Sequence, residues 1–207
     1  YTTVALELNV SPAPLAITPQ DLPICDPDSD GFEAFMLTDK DFEISGGLSG
    51  VTISYHENIS DAENEINALS SPYTNVDINT QTVFARVENP AVSTLCASIV
   101  ELVLVVNPTP QLLDPTPLKV CDDDTDEFQQ FNLTDRADEL LSGIPTSEVD
   151  ISYYETQADA QTETFEIVDP TDYTNLSNPQ TVWIRVAYND TRCQKLTSLE
   201  LIVDPLP

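Results

Sequence analysis

Apolar residues recur at alternate positions through most of the chain, the period of a half-buried strand. Leu102, Leu104 and Val106 alternate with Glu101, Val103 and Val105. The same run returns as Leu199, Leu201 and Val203 against Ser198, Glu200 and Ile202. Val83, Ala85 and Val87 alternate with Phe84, Arg86 and Glu88, and their counterparts are Val182, Ile184 and Val186 against Trp183, Arg185 and Ala187. Val51, Ile53 and Tyr55 predict a third strand, and Phe32 to Leu37 another. Two segments break the alternation. Thr38 to Ile44 and Thr134 to Leu141 predict one or two helical turns, with Thr38 and Thr134 as N-caps and acids in the first turn. Gly46-Gly47 and Gly143 would end them. Ser60 to Leu69 predicts a second short helix.

The pattern is one unit written twice. Cys25, Phe32, Phe35, Leu37, Thr38 and Asp39 recur 96 residues later as Cys121, Phe128, Phe131, Leu133, Thr134 and Asp135. Val51-Thr52-Ile53-Ser54-Tyr55 returns as Val149-Asp150-Ile151-Ser152-Tyr153, and Tyr73-Thr74-Asn75 as Tyr173-Thr174-Asn175. Gln81-Thr82-Val83 returns as Gln180-Thr181-Val182, and Cys96 as Cys193. The offset drifts, which places small insertions in loops. Val4 to Pro14 resembles Val100 to Pro110. Residues 1–12 are therefore expected to be the last strand of a preceding repeat, 13–108 a first complete repeat and 109–207 a second, all part of a longer tandem array. Asn107-Pro108-Thr109-Pro110 and Asp114-Pro115-Thr116-Pro117 predict a stiff linker. Six or seven strands per unit predict an all-β fold, an immunoglobulin-like or fibronectin-like β-sandwich with one or two short helices per repeat.

Charge narrows the partners. With 36 acidic and 7 basic residues the formal net charge is −29. That argues against nucleic acid and against anionic lipid. A 41% hydrophobic content is that of a folded chain. No run approaches the roughly 18 apolar residues of a membrane span, and no signal peptide opens the sequence. Four cysteines in two matching contexts, in an acidic Thr- and Pro-rich β chain, point to disulfides and an oxidising, extracellular compartment. Pairing within each repeat gives Cys25–Cys96 and Cys121–Cys193; the sequence leaves the other connectivities open.

The acidic stretch Cys25-Asp26-Pro27-Asp28-Ser29-Asp30-Gly31-Phe32 returns as Cys121-Asp122-Asp123-Asp124-Thr125-Asp126-Glu127-Phe128. Carboxylates this close repel unless a cation lies among them. Aspartates at positions 1, 3 and 5 with glycine at 6 resemble the start of an EF-hand loop. Position 12 is Leu37, which cannot supply the bidentate carboxylate, and Glu127 replaces the glycine of the second copy. Asp39 and Asp135 are the nearest repeated acids that could complete the sets. The candidate metal residues are Asp26, Asp28, Asp30, Phe32 and Asp39, then Asp122, Asp124, Asp126, Phe128 and Asp135. The expected ion is Ca²⁺, one per repeat; Mg²⁺ suits the pattern less well.

Phe84/Arg86 and Trp183/Arg185 each share one strand face. Stacking, or neutralisation of nearby acids, is the preferred reading; a glycan-binding surface is the alternative. His56 is the sole histidine and its counterpart is Tyr154, which makes it a strand residue. No nucleophile motif or phosphate loop is present, so an enzyme is not expected.

Together, Cys-Asp-x-Asp-x-Asp-Gly-Phe-x-x-Phe-x-Leu-Thr, Ser-Tyr, Tyr-Thr-Asn, Asn-Pro-Gln-Thr-Val-Trp-Ile-Arg-Val, Cys and Leu-Glu-Leu-x-Val-x-Pro-x-Pro resemble repeats of very large surface proteins of Bacteroidota, especially flavobacteria. The chain is similar in this to the gliding-motility adhesin class (SprB-like). The resemblance covers nearly the whole chain. It implies export by type IX secretion, surface attachment, an adhesive stalk and neighbouring repeats of the same chain as partners. Surface polysaccharide is a further candidate partner. A glycan-binding accessory module of a secreted polysaccharide-degrading enzyme is the rival expectation.

Overall fold

The structure, a computed structural model, describes residues 12–91 and 96–205. The expected terminal strand of a preceding repeat falls almost wholly on residues 1–11, outside the described ones. The chain divides into two compact units, residues 1–26 with 30–107, and residues 27–29 with 108–207.

The first unit holds β1 (Leu22–Asp26), β2 (Ala34–Phe35), a 3-10 turn (Leu37–Lys40), α1 (Asp41–Ser45), β3 (Thr52–His56), α2 (Ile59–Asn64), β4 (Tyr73–Thr74), β5 (Thr80–Glu88) and β6 (Ala97–Pro108). β1, β6, β5 and β3 form a four-stranded sheet in that order, and β2 pairs with β4 in a two-stranded ribbon. The alternation sets the inward face. Val83, Ala85, Val87, Leu102 and Leu104 are fully buried. Antiparallel register brings Val83 beside Leu102. Phe35 and Leu37, from the ribbon and the turn after it, and Ile44 of α1 close the same core. Side chains of this size each stabilise the fold by about 1.5–3 kcal/mol when buried.

The second unit repeats the plan with β7 (Leu118–Cys121), β8 (Gln130–Phe131), a 3-10 turn (Leu133–Arg136), α3 (Ala137–Leu141), a further 3-10 turn (Thr146–Glu148), β9 (Val149–Tyr154), α4 (Gln157–Thr162), β10 (Tyr173–Thr174), β11 (Gln180–Tyr188) and β12 (Gln194–Asp204). Its sheet runs β7-β12-β11-β9, and β8 pairs with β10. β7 lies parallel to β12, with Leu118 opposite Leu201 and Cys121 opposite Asp204. This is an all-β tandem repeat carrying a few short helices, as expected.

Two local expectations need correction. The strand expected from Phe32 to Leu37 is only Ala34–Phe35. The backbone before it bonds a side chain instead of a ladder: Glu33 N–H donates to Asn75 Oδ1 at 2.7 Å, and the Gly31 carbonyl accepts from Asn75 Nδ2 at 2.9 Å. The N-caps are not Thr38 and Thr134. Both 3-10 turns begin one residue earlier, at Leu37 and Leu133. Asn132 caps the second by accepting from Thr134 N–H at 3.1 Å, while Met36 makes no side-chain cap at the first. Gly46 does end α1, at φ 60. In the second copy Ser142 (φ 49) takes that place, ahead of Gly143. The second expected helix forms as α2, capped by Asn58 accepting from Asp61 N–H.

Candidate functional site

The acidic loop leaves the first strand of each unit, and its first aspartate turns inward. Asp26 is 3% exposed and Asp122 is 4% exposed. Asp26 Oδ2 accepts from Gly31 N–H at 2.9 Å. Asp122 Oδ1 accepts from Asp124 N–H (3.3 Å) and Thr125 N–H (2.8 Å), while its Oδ2 accepts from Glu127 N–H (3.1 Å). At the far end Phe32 N–H donates to Asp30 Oδ1 and Phe128 N–H to Asp126 Oδ1, both at 2.8 Å. Burial pushes the Asp122 carboxyl up, but the backbone donors of Thr125, Glu127, Asp124 and Asp126 outweigh it and hold the group below the usual carboxylate range. Desolvation, then the neighbouring Asp126 charge, pushes Asp124 the other way.

The curvature needs left-handed backbone twice per loop. Ser29 and Gly31 have φ 63 and 81, and Thr125 and Glu127 have φ 73 and 68. Glu127 therefore takes the glycine conformation despite its Cβ. A Cβ at Gly31 would lie 2.4 Å from Ile78 Cγ1. The second copy is one residue shorter between Asn175 and Gln180 than the first between Asn75 and Gln81. A cavity of about 260 Å³ opens there, lined by Asp122, Thr125, Glu127, Asn178, Val203 and Pro205.

Each loop is held from outside by the repeated Tyr-Thr-Asn and Gln-Thr-Val segments. Asn75 Nδ2 also donates to the Asp77 carbonyl at 2.7 Å. Gln81 Nε2 donates to the Tyr73 hydroxyl at 2.9 Å, and Gln81 Oε1 accepts from Val76 N–H at 2.7 Å. The second copy reproduces every bond. Asn175 Oδ1 accepts from Gln129 N–H (2.7 Å), its Nδ2 donates to the Glu127 and Ser177 carbonyls (2.9 Å each), and Gln180 links Tyr173 to Leu176 N–H. Sequence reasoning found these motifs as repeats without giving them a role. A polar residue repeated beside a strand end was the available signal.

The structure brings carboxylate oxygens of Asp26, Asp28 and Asp30 within 4.8 Å of one another, and likewise Asp122, Asp124 and Asp126. Asp39 and Asp135, expected to complete the sets, are not among them. Asp39 lies in the 3-10 turn, its N–H on the Met36 carbonyl, and Asp135 Oδ1 accepts from Asn132 Nδ2 at 2.7 Å. Phe32 and Phe128 close the loops with half-exposed rings. Three convergent carboxylates suit a hard, oxygen-seeking cation, with backbone carbonyls or water filling the remaining positions.

The strand arginines pair with acids. Arg185 is 3% exposed and its Nη2 donates to Glu163 Oε1 at 2.6 Å. Arg86 donates to Glu88 Oε2 (3.1 Å) and the Ala62 carbonyl (3.2 Å). His56 is fully buried, with Nδ1 2.7 Å from the Ile66 carbonyl and Nε2 2.9 Å from Ser54 Oγ. Tyr154 replaces it in the second copy, which leaves the buried Ser152 hydroxyl without a hydrogen-bond partner.

The cysteines depart from expectation. Cys25 and Cys193 are disulfide-bonded, while Cys96 and Cys121 carry thiols. Neither expected within-repeat bond, Cys25–Cys96 or Cys121–Cys193, is formed. The parallel pairing of β7 with β12 gives the reason. Cys121 lies opposite Asp204, at the end of β12, whereas Cys193 immediately precedes its first residue, Gln194. The length of β12 separates them, about 33 Å at ~3.3 Å per residue, against a disulfide Cα reach of about 7 Å. The second repeat thus carries its two cysteines at opposite ends.

The sequence profile of the Flavobacterium inter-domain disulphide bond domain matches residues 21–110 and 117–207. The chain belongs to that family. It is a tandem pair of these flavobacterial domains, and the family's description agrees with cysteines that cannot meet inside one repeat. No curated protein matches the sequence. Solved structures with some similarity are the bradyzoite-specific antigen BSR4 of Toxoplasma gondii (8% identity, 62% of this chain, 56% of that one, TM-score 0.21) and the zebrafish RET cadherin-like domains 1 to 4 (11% identity, 90% and 44%, TM-score 0.23). A third is the endo-fucoidan hydrolase MfFcnA4 of glycoside hydrolase family 107 (9% identity, 96% and 31%, TM-score 0.21). This chain spans little more than half of those chains or less, and the fold is read from its own strands. Among the described residues, no helix is long and apolar enough to cross a membrane.

Proposed function

We propose that this flavobacterial domain pair is a structural segment of a large cell-surface adhesin, a non-catalytic spacer whose repeats are joined covalently. The observation that carries the reading is the placement of the second repeat's cysteines at opposite ends of its last strand. Cysteines so placed serve a bond between repeats, and of the four here Cys25 and Cys193 are the bonded ones. On this reading they bond each other, from the first copy to the second. A disulfide persists in an oxidising compartment, which supports an extracellular site and export, by type IX secretion in the class the motifs resemble. The acidic surface supports a solvated stalk.

Calcium belongs to the same proposal. In the second triad, desolvation and then the Asp126 charge push Asp124 up, and at either triad a divalent ion among the carboxylates would relieve repulsion and stiffen the loop. Calorimetry with calcium and with chelator tests it; ions bound only by the folded state raise Tm, and an unchanged Tm removes calcium from the account. Non-reducing peptide mapping tests the bond: a Cys25–Cys193 peptide pair is expected, and its absence overturns the joined-repeat reading. For adhesion, soluble chain added to flavobacterial cells should compete for surface attachment; cells that attach equally well would count against the role.

A further inference from the structure

The loop after the second short helix of each unit has one frame and two contents. The chain leaves α2 through left-handed Glu65 and Asn67 (φ 56 and 52), and leaves α4 through left-handed Glu163 and Phe165 (φ 55 each). Ile66 N–H donates to the Asp61 carbonyl, and Thr164 N–H to that of Asp159, at 3.1 Å each. Leu69 N–H donates to the Tyr55 carbonyl, and Ile167 N–H to that of Tyr153, at 2.8 Å each. The same backbone bonds thus fix the loop on both sides of the second left-handed residue.

In the first copy that residue is Asn67, a type that tolerates such backbone, and its Nδ2 donates to Asp61 Oδ2 at 3.2 Å. In the second copy it is Phe165, for which the same backbone is strained, and it is 87% exposed. Three residues on, Ser70 of the first copy is replaced by Val168, which is 97% exposed. The loop is also longer: Tyr173 follows Ile167 by six residues, where Tyr73 follows Leu69 by four. Glu166, Asp169 and Asp172 are exposed, and no lysine or arginine lies between Glu163 and Tyr173. The first copy has no acid between Glu65 and Tyr73.

An aromatic ring ordinarily stabilises a fold by its burial, and Phe165 forgoes both burial and relaxed backbone. A strained residue held by a rigid frame, its ring turned to solvent, is a pre-organised anchor. We propose that the 163–172 loop is a docking site for a basic segment of a different protein. Phe165 and Val168 are its apolar anchors, and Glu166, Asp169 and Asp172 its charge partners. Charge selects the occupant. A second copy of this chain, at −29, is repelled, and so is an anionic polysaccharide. A segment that sets lysines or arginines around apolar side chains complements both features of the loop. The inference is independent of the calcium and adhesin readings.

The probe is a library of short, dye-labelled serine-based peptides in which several lysines and two leucines are permuted. Each is titrated with the full chain at about 0.15 M salt, with fluorescence anisotropy as readout. Companion libraries replace the lysines by glutamate or the leucines by serine. Binding that needs both lysine and leucine is expected. Phe165→Asn, which installs the first copy's residue, should weaken it by about tenfold or more, and Val168→Ser should weaken it too. The urea midpoint of Phe165→Asn should equal or exceed the parent's, because the backbone strain is relieved. Phe42→Ser removes a comparably exposed residue (79%) from the first unit and should leave affinity unchanged. Added salt should weaken binding, and less steeply once Glu166→Gln and Asp172→Asn are combined. A library without binders overturns the proposal, as does binding that survives loss of the leucines or that falls equally with Phe42→Ser. A lowered urea midpoint in Phe165→Asn would give the ring a structural role and overturn it. A parent dimer in sedimentation that Phe165→Asn dissolves would assign the loop to a second copy. Dextran binding abolished by Phe165→Asn would assign it to a neutral glycan. Either result overturns the inference.

Discussion

Replacing Gly31 by alanine and Glu127 by glycine changes the same loop position in opposite directions, and the two effects on stability should differ in sign. Gly31 holds φ +81, and a Cβ there would lie 2.4 Å from Ile78 Cγ1 and 2.8 Å from Asn79 Oδ1. Left-handed backbone costs a residue with a Cβ roughly 1–2 kcal/mol. Overpacking against Ile78 adds roughly 1–3 kcal/mol. Gly31→Ala is therefore expected to destabilise by about 2–5 kcal/mol. Glu127 holds φ 68, so Glu127→Gly releases roughly 1–2 kcal/mol of strain and loses about 0.4–1 kcal/mol to the looser unfolded chain. A net gain of about 0.5–1 kcal/mol remains. Urea denaturation followed by circular dichroism measures both, with the m-value as a check that the end states are unchanged. Ile78→Ala in the Gly31→Ala background should recover the packing part and leave the backbone part. A Gly31→Ala protein as stable as its parent, or a Glu127→Gly protein less stable, would refute the assignment of left-handed geometry to both loops.

Asn75→Ala removes three hydrogen bonds and strands the Gly31 carbonyl and Glu33 N–H, for a loss of about 2–4 kcal/mol; hydrogen exchange at Glu33 should speed up, and unchanged protection would remove its anchoring role. Asp122 is depressed in the folded state, so its stabilisation is complete above the ordinary aspartate pKa of about 3.9 and is lost as pH falls through the lower folded value. Asp122→Asn should flatten that acidic part of the urea-midpoint profile; a profile identical to the parent's would show that Asp122 does not titrate this way. Glu163→Gln leaves the buried Arg185 charge without its carboxylate and should cost about 1–2 kcal/mol, a reduced figure because Glu163 is half exposed. Arg185→Met should cost less in the same melt, and the reverse order would mean the pair matters through packing.

Much of the fold was legible because both copies obey period-two patterning. Val83, Ala85, Leu102 and Leu104 pointed inward as read, and so did their counterparts. The Phe32 to Leu37 strand was over-read because an apolar pattern cannot show that Asn75, more than forty residues later, takes the backbone bonds a neighbouring strand would have taken. The aspartate triads were legible from spacing alone. Their supposed completion by Asp39 and Asp135 was not, since nearness in sequence says nothing about a 3-10 turn that directs these residues elsewhere. The cysteine pairing failed for a topological reason. Nothing local reveals that the first strand lies parallel to the last, and that parallel pairing is what sends the two cysteines of the second repeat to opposite ends.

The Asn75 and Asn175 brackets bear on how this loop could be transplanted. Cut at its obvious ends, Cys25 to Phe32 would carry its acids and their internal bonds but none of the outside groups that hold the loop. A recipient scaffold would receive a floppy acidic peptide. The smallest portable piece is discontinuous: the loop, the short ribbon strand that begins with Tyr73 together with Asn75 just after it, and Gln81 near the start of the next long strand. A library that varies the loop's tip while keeping those three residues should preserve its shape, and one that keeps the tip while varying them should lose it.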